Sequence, residues 1–338
     1  MPEPGVDLVL DENAPMPKET DLQKGQVLVK NDLLTMDPAM RGWMRAQKSY
    51  IPPVEIGAVM RGSSLGTVIA SKSEKYKAGD KVSCGLSIGW AEYGIAQEKE
   101  LQHIGQVAGQ PLGVHLGALG GTGITAYIGL LEVGKPKPGE TVVVSAAAGA
   151  TGSVVCQIAK NVFGCRVVGI AGGPEKCKML VDEFGLDGAI DYKYANGKEF
   201  RKDLRKACPN GVDVFFDNVG GWILEDTLKH INQKARIVIC GAIAGYNSTK
   251  LQPGPGSYLN LINTSSRMEG FVLFHYLDKM PQAQRDLKKW LEEGKIQHIE
   301  ENVTGLENAP RALLKLFGGD GGNKGRIIVD IHGKKSNL

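Results

Sequence analysis

The sequence predicts an α/β fold in which a doubly wound parallel sheet is accompanied by a second, β-rich domain. Two observations carry this prediction. From residue 141 onward, short apolar runs alternate with helical patterns, the order that buries a parallel sheet between two layers of helices. Residues 1–120 instead contain short strand patterns separated by turns, which favours a compact, partly closed β-barrel-like domain.

The individual elements follow from these patterns in chain order. Strand patterns in the first region cover 26–30 and 66–70, residues 79–83 are a turn that runs into a third strand, and a short helix or turn is expected over 36–43. A helix is expected over 121–131, where the character of the chain changes. The predicted strands of the parallel sheet are 141–145, 166–170, 188–190, 212–217, 235–241 and 268–274. Two later helices, 281–293 and 308–317, precede a last strand, 325–330, that is expected to return to the β domain.

These patterns divide the chain into two domains. We predict a β-rich domain over 1–120, completed by 295–338, and a sheet domain over 121–294. A length of 338 residues suits two domains of common size.

Composition excludes several classes of function. The net charge of +3 is too small to indicate a nucleic-acid or membrane-surface partner. No apolar run approaches the roughly 18 residues that a membrane span needs, and the N-terminus lacks the regions of a signal peptide, so we expect a cytoplasmic protein. The six cysteines and six histidines are scattered without metal-ligand spacing, and we therefore predict no zinc site.

The stretch from 141 to 176 is the most informative about function. Ala147, Gly149 and Gly152 occupy the three glycine positions of a dinucleotide-binding turn between a strand and a helix, with alanine at the first position. Gly149 would let backbone N–H groups approach a pyrophosphate, and Gly152 would let the helix pack close to the strand. The helix N-terminus would then face the negative charge.

The end of the second strand of this unit indicates which dinucleotide binds. An NAD site usually has a carboxylate here that holds the ribose 2′-hydroxyl. In this chain residues 171–174 carry no acidic side chain, and Lys176 follows Glu175. A missing carboxylate beside a cation suits a 2′-phosphate, so the sequence predicts NADP(H) rather than NAD(H). The alternative is a surface turn with a solvated lysine.

Five further residues are candidates for the site. Asn218 follows the fourth strand and Tyr246 the fifth, while Tyr192 follows the third and Asn323 precedes the last. Tyr50 lies in a proline-flanked loop of the first domain. Each residue has a structural alternative that the sequence leaves open, such as a capping turn for Asn218 or a packed loop aromatic for Tyr246.

Seven short motifs follow one another along the chain: MDPAMRG at 36–42, SYIPP at 49–53, AAAGATGSVV at 146–155, AGGPEK at 171–176, DNVGG at 217–221, CGAIAGYN at 240–247 and NKGRIIV at 323–329. In the order and spacing of these motifs, nearly the whole chain resembles the zinc-free branch of the medium-chain dehydrogenase/reductase superfamily, in particular the prostaglandin reductases (leukotriene 12-hydroxydehydrogenases) and the alkenal double-bond reductases. The resemblance implies a Rossmann domain and a GroES-like β domain that carries catalytic residues.

The resemblance also implies roles for individual residues. The pyrophosphate would lie on Gly149, Ala150, Thr151 and Gly152, and the 2′-phosphate on Lys176. Further cofactor contacts are implied for Tyr192, Asn218 and Asn323, and the nicotinamide side would be covered by Cys240, Gly241, Ala242, Ile243, Tyr246, Phe271, Val272 and Leu273.

The activity implied by this family is NADPH-dependent reduction of the C=C bond of α,β-unsaturated aldehydes and ketones, in a homodimer. Hydride reaches the β-carbon, and the resulting enolate is protonated. Tyr246 is our candidate for hydrogen-bond donor or proton relay, since a phenol with a pKa of about 10 stays protonated at neutral pH. Tyr50 is the second candidate, as a pocket residue.

Alternatives remain open at this point. A quinone oxidoreductase of the same superfamily, or a catalytically inactive NADP-binding protein, would share these features, and a methyltransferase would share the doubly wound sheet. The chain departs from zinc alcohol dehydrogenases, because Gly62-Ser-Ser-Leu-Gly66 replaces their Gly-His-Glu segment and Cys84 has no matching partners.

Overall fold

The chain divides into two units, which the computed structural model describes over residues 1–195, 197–250, 252–318 and 322–333. The first unit contains residues 1–116, 300–318 and 326–333. The second contains residues 117–299 together with 322–325. The domain boundaries predicted from the sequence, at 120 and 294, stay a prediction beside this division.

Within the described residues the two units together contain thirteen strands, which are numbered along the chain. They are β1 (Gln26–Thr35), β2 (Ser64–Ser71), β3 (Lys81–Gly85), β4 (Tyr93–Gln97), β5 (Gln102–His103), β6 (Thr141–Ser145), β7 (Arg166–Ala171), β8 (Gly188–Asp191), β9 (Val212–Asp217), β10 (Ile231–Ile239), β11 (Arg267–Gly270), β12 (Glu300–Thr304) and β13 (Arg326–Asp330).

The α-helices of the described ranges lie mostly in the second unit. They are α1 (Met40–Trp43), α2 (Gly121–Ile128), α3 (Ala150–Gln157), α4 (Pro174–Asp182), α5 (Lys198–Ala207), α6 (Gly221–Thr227), α7 (Asn260–Asn263), α8 (Met280–Glu292) and α9 (Ala309–Lys315). Helices α2 and α3 continue as π-helical segments, Gly129–Gly134 and Ile158–Val162. Among the described residues, no helix is both long and apolar enough to cross a bilayer.

The second unit is built on a six-stranded parallel sheet. Its strand order is β11-β10-β9-β6-β7-β8, and all its neighbours pair in parallel. Counted within the sheet, this is the doubly wound order 3-2-1-4-5-6, which reverses between β6 and β9. The predicted α/β fold class is therefore confirmed. Ligands of such sheets bind outside the carboxyl ends of the strands at the point of reversal.

Continuous apolar runs explain why these strands lie in the middle of the sheet. All five residues of β6 are buried, as are five of the six in β9. A strand covered by helices on both faces has no solvent-facing side, so its sequence loses the alternation of polar and apolar residues. Phe200 on α5 and Phe215 on β9 are both fully buried in the cluster that joins this sheet to its helices.

Two predicted strands were wrong in their limits. The run predicted as 235–241 is strand β10 at 231–239, which begins at Ile231, continues through the polar residues Asn232, Gln233 and Lys234 and has an irregular register there. The run predicted as 268–274 forms a strand only as far as Gly270. Beyond it the chain leaves the sheet, so the apolar residues that follow cover other elements.

The first unit is a seven-stranded sheet. Its order is β12-β13-β1-β2-β3-β5, and β4 pairs with β1 as well. The last strand, β13, pairs antiparallel with β1, which confirms that it returns to the β domain. In the described part of the chain no pairing joins β12 to β5, so the sheet does not close into a ring.

An ion pair fixes β13 to the loop that follows β1. Arg326 donates to both carboxylate oxygens of Asp37, at 2.6 and 2.8 Å, and to the carbonyl of Met36 at 3.3 Å. Burial alone would raise the pKa of Asp37, but the Arg326 guanidinium and the Thr35 hydroxyl outweigh it and hold the pKa below its ordinary value. The Arg326 side chain is only 4% exposed, so its charge depends on this partner.

We expect Asp37→Asn to lower the free energy of unfolding by about 3 kcal/mol, because Arg326 stays buried without its carboxylate. A depressed folded-state pKa means that this contribution is complete above the unfolded pKa of about 4 and is lost as the pH falls through the folded value. Urea unfolding at pH 7 and at low pH measures both effects. Asp182→Asn, which removes the partner of exposed Lys178, is the control and should have a much smaller effect. Equal losses in the two variants would contradict the assignment.

Candidate cofactor site

The turn after β6 presents a helix N-terminus at the carboxyl edge of the parallel sheet. The backbone reverses at Ala146, whose φ is +49°, and the Gly149 N–H donates to the Ala146 carbonyl at 3.0 Å. The first bond at the start of α3 runs from the Ser153 N–H to the Gly149 carbonyl at 2.9 Å. The N–H groups of residues 150–152 therefore have no partner within the helix. With no acidic residue in the first turn of α3, this end of the helix suits an anion.

The two glycines of the turn have different reasons to be glycine. A Cβ on Gly152 would lie 2.3 Å from the Ala146 carbonyl oxygen, which is backbone and cannot easily move aside. Gly152 thus lets α3 pack closely on the turn that follows β6. A Cβ on Gly149 would lie 3.2 Å from the same oxygen, a tight but smaller conflict.

The second strand of the unit, β7, ends without an acidic side chain. Gly172 and Gly173 lead into α4, and Lys176 is the third residue of that helix and is half-buried. Glu175 beside it forms an ion pair with Lys324, with Oε2 and Nζ 3.2 Å apart. Two lysines and one carboxylate thus lie near the end of β7, and the 2′-phosphate contact of Lys176 stays a prediction.

The phenol of Tyr192 covers Gly172. A Cβ on Gly172 would lie 2.8 Å from the Tyr192 hydroxyl oxygen, and the Tyr192 N–H donates to the Ala171 carbonyl at 3.1 Å. Burial and then the charge of Asp191 raise the pKa of Tyr192, so its hydroxyl keeps its proton at neutral pH. Tyr192 is therefore a neutral aromatic group at the strand end where the 2′-phosphate is predicted.

The segment before β13 lies against the turn after β6. The Gly325 N–H donates to the Ala148 carbonyl at 2.8 Å, and Gly149 and Gly325 form an isolated parallel bridge. The Asn323 amide nitrogen lies 2.5 Å from the Gly325 carbonyl oxygen. This places Asn323 beside the predicted pyrophosphate turn, although the two are far apart in sequence.

At the point where the strand order reverses, Asn218 is bonded to the end of β6. Its side-chain nitrogen donates to the Ser145 carbonyl at 2.7 Å, and its backbone N–H donates to the Ser145 hydroxyl at 2.8 Å. The side chain is thus placed between the loops after β6 and β9. Its contact with the cofactor stays a prediction.

The residues after β10 fold back over their own backbone. The Tyr246 hydroxyl accepts from the Ala242 N–H at 3.2 Å, and a Cβ on Gly241 would lie 3.2 Å from that hydroxyl. Ile243 begins a short 3₁₀ turn that Tyr246 ends. Burial raises the pKa of Cys240 to about 12, so its thiol is protonated and unreactive at neutral pH.

Phe271, Val272 and Leu273 follow β11 rather than forming its end. The Phe271 ring packs on the π-helical segment after α2, because a Cβ on Gly129 would lie 2.7 Å from both Phe271 and Phe216. The three residues are half-buried, and Leu273 begins a short 3₁₀ turn. The nicotinamide contacts implied for them stay predictions.

Tyr50 belongs to the first unit, whereas the other predicted site residues belong to the second. Its hydroxyl accepts from the Trp43 indole N–H at 3.3 Å, and its side chain is 53% exposed. Arg61 lies over the Trp43 ring, 5.8 Å from its centre, and donates to the Pro52 carbonyl at 2.9 Å. These contacts hold the 49–53 loop to α1.

Comparison with known proteins identifies the family. Residues 11–104 match the model of the N-terminal domain of oxidoreductases, and residues 150–289 match that of the zinc-binding dehydrogenases. The chain is 40% identical to the NADPH-dependent curcumin reductase of Escherichia coli K12, over 95% of this chain and 94% of that protein. It is 37% identical to the 2-alkenal reductase (NADP(+)-dependent) of Nicotiana tabacum, over 93% and 94% of the two chains.

A solved structure supports the same relationship. The complex of CurA with NADPH from Vibrio vulnificus is 38% identical to this chain, with a TM-score of 0.85 over 95% of this chain and 94% of that one. The chain belongs to the medium-chain dehydrogenase/reductase superfamily. Its branch is that of the alkenal and prostaglandin reductases, as its motifs indicated.

Zinc is found in part of this superfamily, and the matched model for residues 150–289 takes its description from that metal. Within the described ranges, no group of three or more His, Cys, Asp or Glu side chains is placed to hold a metal ion. Cys84 is buried, and burial raises the pKa of its thiol to about 12. The absence of zinc from this reductase stays a prediction, which elemental analysis of the purified protein tests.

We expect Gly152→Ala to destabilise the protein by about 1–3 kcal/mol and to weaken NADPH binding, because α3 must move away from the turn. Gly149→Ala has more room and should lower the free energy of unfolding less, while its Cβ would weaken NADPH binding by facing the predicted pyrophosphate. Urea unfolding and fluorescence titration with NADPH measure the two effects. The control is Gly105→Ala, where a Cβ meets nothing within 4 Å. If Gly149→Ala lowers the free energy of unfolding more than Gly152→Ala does, the packing argument is wrong.

Proposed function

We propose that this protein reduces the C=C bond of α,β-unsaturated aldehydes and ketones with NADPH. The observation that carries the proposal is a dinucleotide turn followed by a strand end without a carboxylate, in a chain whose relatives are a curcumin reductase and a 2-alkenal reductase. The proposal includes a small-molecule enal or enone as substrate.

The residues present suit a phosphorylated dinucleotide. Gly152 lets α3 begin directly against the turn, since any side chain there would meet the Ala146 backbone, and the N-terminus of α3 has no acidic group in its first turn. Gly149, Ala150, Thr151 and Gly152 would hold the pyrophosphate through backbone N–H groups. Lys176 would supply the cation for the 2′-phosphate, with Tyr192 beside it.

The reaction needs a hydride donor and a group that stabilises charge on the substrate. NADPH supplies the hydride when bound. As the β-carbon gains hydrogen, negative charge develops on the carbonyl oxygen, and a positioned donor lowers the energy of that state. A proton must then reach the α-carbon.

Tyr246 is the donor that we propose from the protein. Its hydroxyl oxygen accepts from the Ala242 N–H at 3.2 Å, and a phenol is by its chemistry both a donor and an acceptor. The ring therefore has a defined orientation before substrate arrives. Tyr50, held by Trp43, is proposed as a residue of the substrate pocket.

The assembly and location are proposed with the activity. The family resemblance supports a homodimer, which analytical ultracentrifugation tests. The cytoplasmic location predicted from the sequence is proposed with it.

The proposal is tested by anaerobic NADPH oxidation with alkenals, enones, quinones and 15-oxo-prostaglandins, with NADH run in parallel. We expect turnover of alkenals or enones to saturated carbonyl products, and a preference for NADPH. Turnover of quinones alone would instead establish the quinone oxidoreductase. NADPH binding without oxidation by any substrate would indicate an inactive binding protein, and a preference for NADH would contradict the role of Lys176.

Tyr246→Phe is expected to lower kcat on an enone about 100-fold, because it removes the hydroxyl and leaves the ring. The Kd for NADPH should change little. Tyr194→Phe is the matched control, since Tyr194 is 80% exposed and is not among the residues predicted to contact cofactor or substrate. Unchanged turnover in Tyr246→Phe would remove this residue from the mechanism.

A further inference from the structure

Asp191, the last residue of β8, is bonded to the backbone of the neighbouring strand end. Its Oδ1 accepts from the Gly173 N–H at 2.8 Å and from the Lys193 N–H at 3.0 Å. Gly173 lies after β7 and directly before α4. One carboxylate oxygen thus joins the loop after β7 to the loop after β8.

Two further contacts in the same place involve Tyr192. Its N–H continues the β7–β8 pairing to the Ala171 carbonyl, and its phenol covers Gly172. Consecutive residues of one loop therefore contact three consecutive residues of the other. The two loops form one unit of structure, and Asp191 provides its side-chain bonds.

We propose that Asp191 is a positioning residue for the phosphorylated adenosine end of NADPH. It joins the loop that carries Tyr192 to the residue that begins α4, the helix of Lys176, and these are the two residues predicted to contact the 2′-phosphate. This inference rests on the proposed function only for the identity of the cofactor. Asp191 acts through the two loops and does not itself contact the phosphate.

The geometry of Gly173 explains why an acceptor from outside is needed. Its φ of +98° is a conformation that glycine adopts readily, and it has no side chain to cap α4. Pro174 follows at the start of the helix and has no N–H of its own. Without Asp191, the Gly173 N–H loses its acceptor, and the direction in which α4 and Lys176 leave the strand is less well defined.

A second observation separates the two carboxylate oxygens. Oδ2 of Asp191 is buried and has no hydrogen-bond partner among the described residues, so Oδ1 accepts both bonds. Asparagine retains a carbonyl oxygen for the Oδ1 position and loses the charge. Alanine removes the acceptor altogether. The two substitutions therefore separate the hydrogen bonds from the charge.

Asp187 offers a matched control on the same strand pair. Its Oδ2 accepts from the Val167 N–H at 2.8 Å, and Lys160 lies 2.9 Å from the carboxylate. These bonds lie at the amino end of β7, whereas those of Asp191 lie at the carboxyl end. Asp187→Ala therefore damages the same strand without touching the predicted cofactor edge.

The experiment measures Kd values for NADP⁺ and NAD⁺ by calorimetry in Asp191→Ala, Asp191→Asn, Asp187→Ala and Lys176→Ala. We expect Asp191→Ala to weaken NADP⁺ binding about tenfold and NAD⁺ binding less than about threefold, in the direction of Lys176→Ala. Asp191→Asn should retain most of the preference for NADP⁺. In steady state, Asp191→Ala should raise the KM for NADPH and leave kcat at saturation unchanged.

The inference is overturned if Asp191→Ala retains the wild-type ratio of the two Kd values, or loses no more of it than Asp187→Ala does. Should Asp191→Ala fail to fold, Asp191→Glu carries the test, because its longer side chain displaces the carboxylate and should lower the ratio at least threefold. An unchanged ratio in Asp191→Glu would then overturn the inference. Wild-type protein that binds NADP⁺ but reduces no enone would contradict the proposed function and leave this test valid.

Discussion

A single buried carboxylate holds together the two loops at the point where the strand order reverses. Asp217, at the end of β9, accepts from the Ser145 hydroxyl at 2.7 Å and from the N–H groups of Val219 and Gly220 at 3.0–3.1 Å. Burial raises its pKa above the ordinary value, although these bonds act in the opposite direction. Removing these donors would leave a buried carboxylate without hydrogen bonds, which would destabilise the folded protein. The spacing of the β6 and β9 loops is therefore fixed before any ligand arrives.

The other parts of the candidate site depend on that spacing. Ser145 precedes the turn at Ala146, so its hydroxyl and its carbonyl tie the position of the Gly149–Gly152 region to the end of β9. On the other side of β6, the loops after β7 and β8 are joined by Asp191. At the carboxyl edge of the sheet, the loops are therefore joined in pairs by hydrogen bonds. Loops that are already ordered lose little conformational entropy when a ligand binds, which favours affinity.

The sequence predicts the core of this arrangement because its signals are local. Apolar β-branched runs mark β6, β7 and β9, and small residues mark the turn after β6. The predicted limits of two strands were wrong where the local sequence pattern fits more than one structure. Phe271 lies in a short apolar run, yet its ring packs on Gly129 and its backbone is not part of the sheet. An apolar run of this length does not show whether it forms a strand or covers another element. At the start of β10 the one apolar residue, Ile231, is followed by three polar ones, so no apolar run marks this part of the strand.

The residues that sequence reasoning missed are those whose role is set by distant contacts. Asp191 and Asp217 stand next to the predicted residues Tyr192 and Asn218, but only the folded sheet shows that they bond to Gly173 and Ser145. An acidic residue at the carboxyl end of a parallel strand, followed by a loop, is the signal that would have found both. The family resemblance predicts a cofactor contact for Asn323, and in the structure this residue lies beside the turn that follows β6.

The bridge between Gly149 and Gly325 has a consequence for anyone who wishes to cut or recombine this protein. The nucleotide-binding unit is discontinuous, since a short piece from near the C-terminus lies along the wall of its turn. A single continuous fragment with every strand of the parallel sheet would therefore lack the segment that ends at Gly325 and pairs with the turn. Chimaeras that exchange coenzyme preference between relatives must therefore transfer two separate segments of the gene.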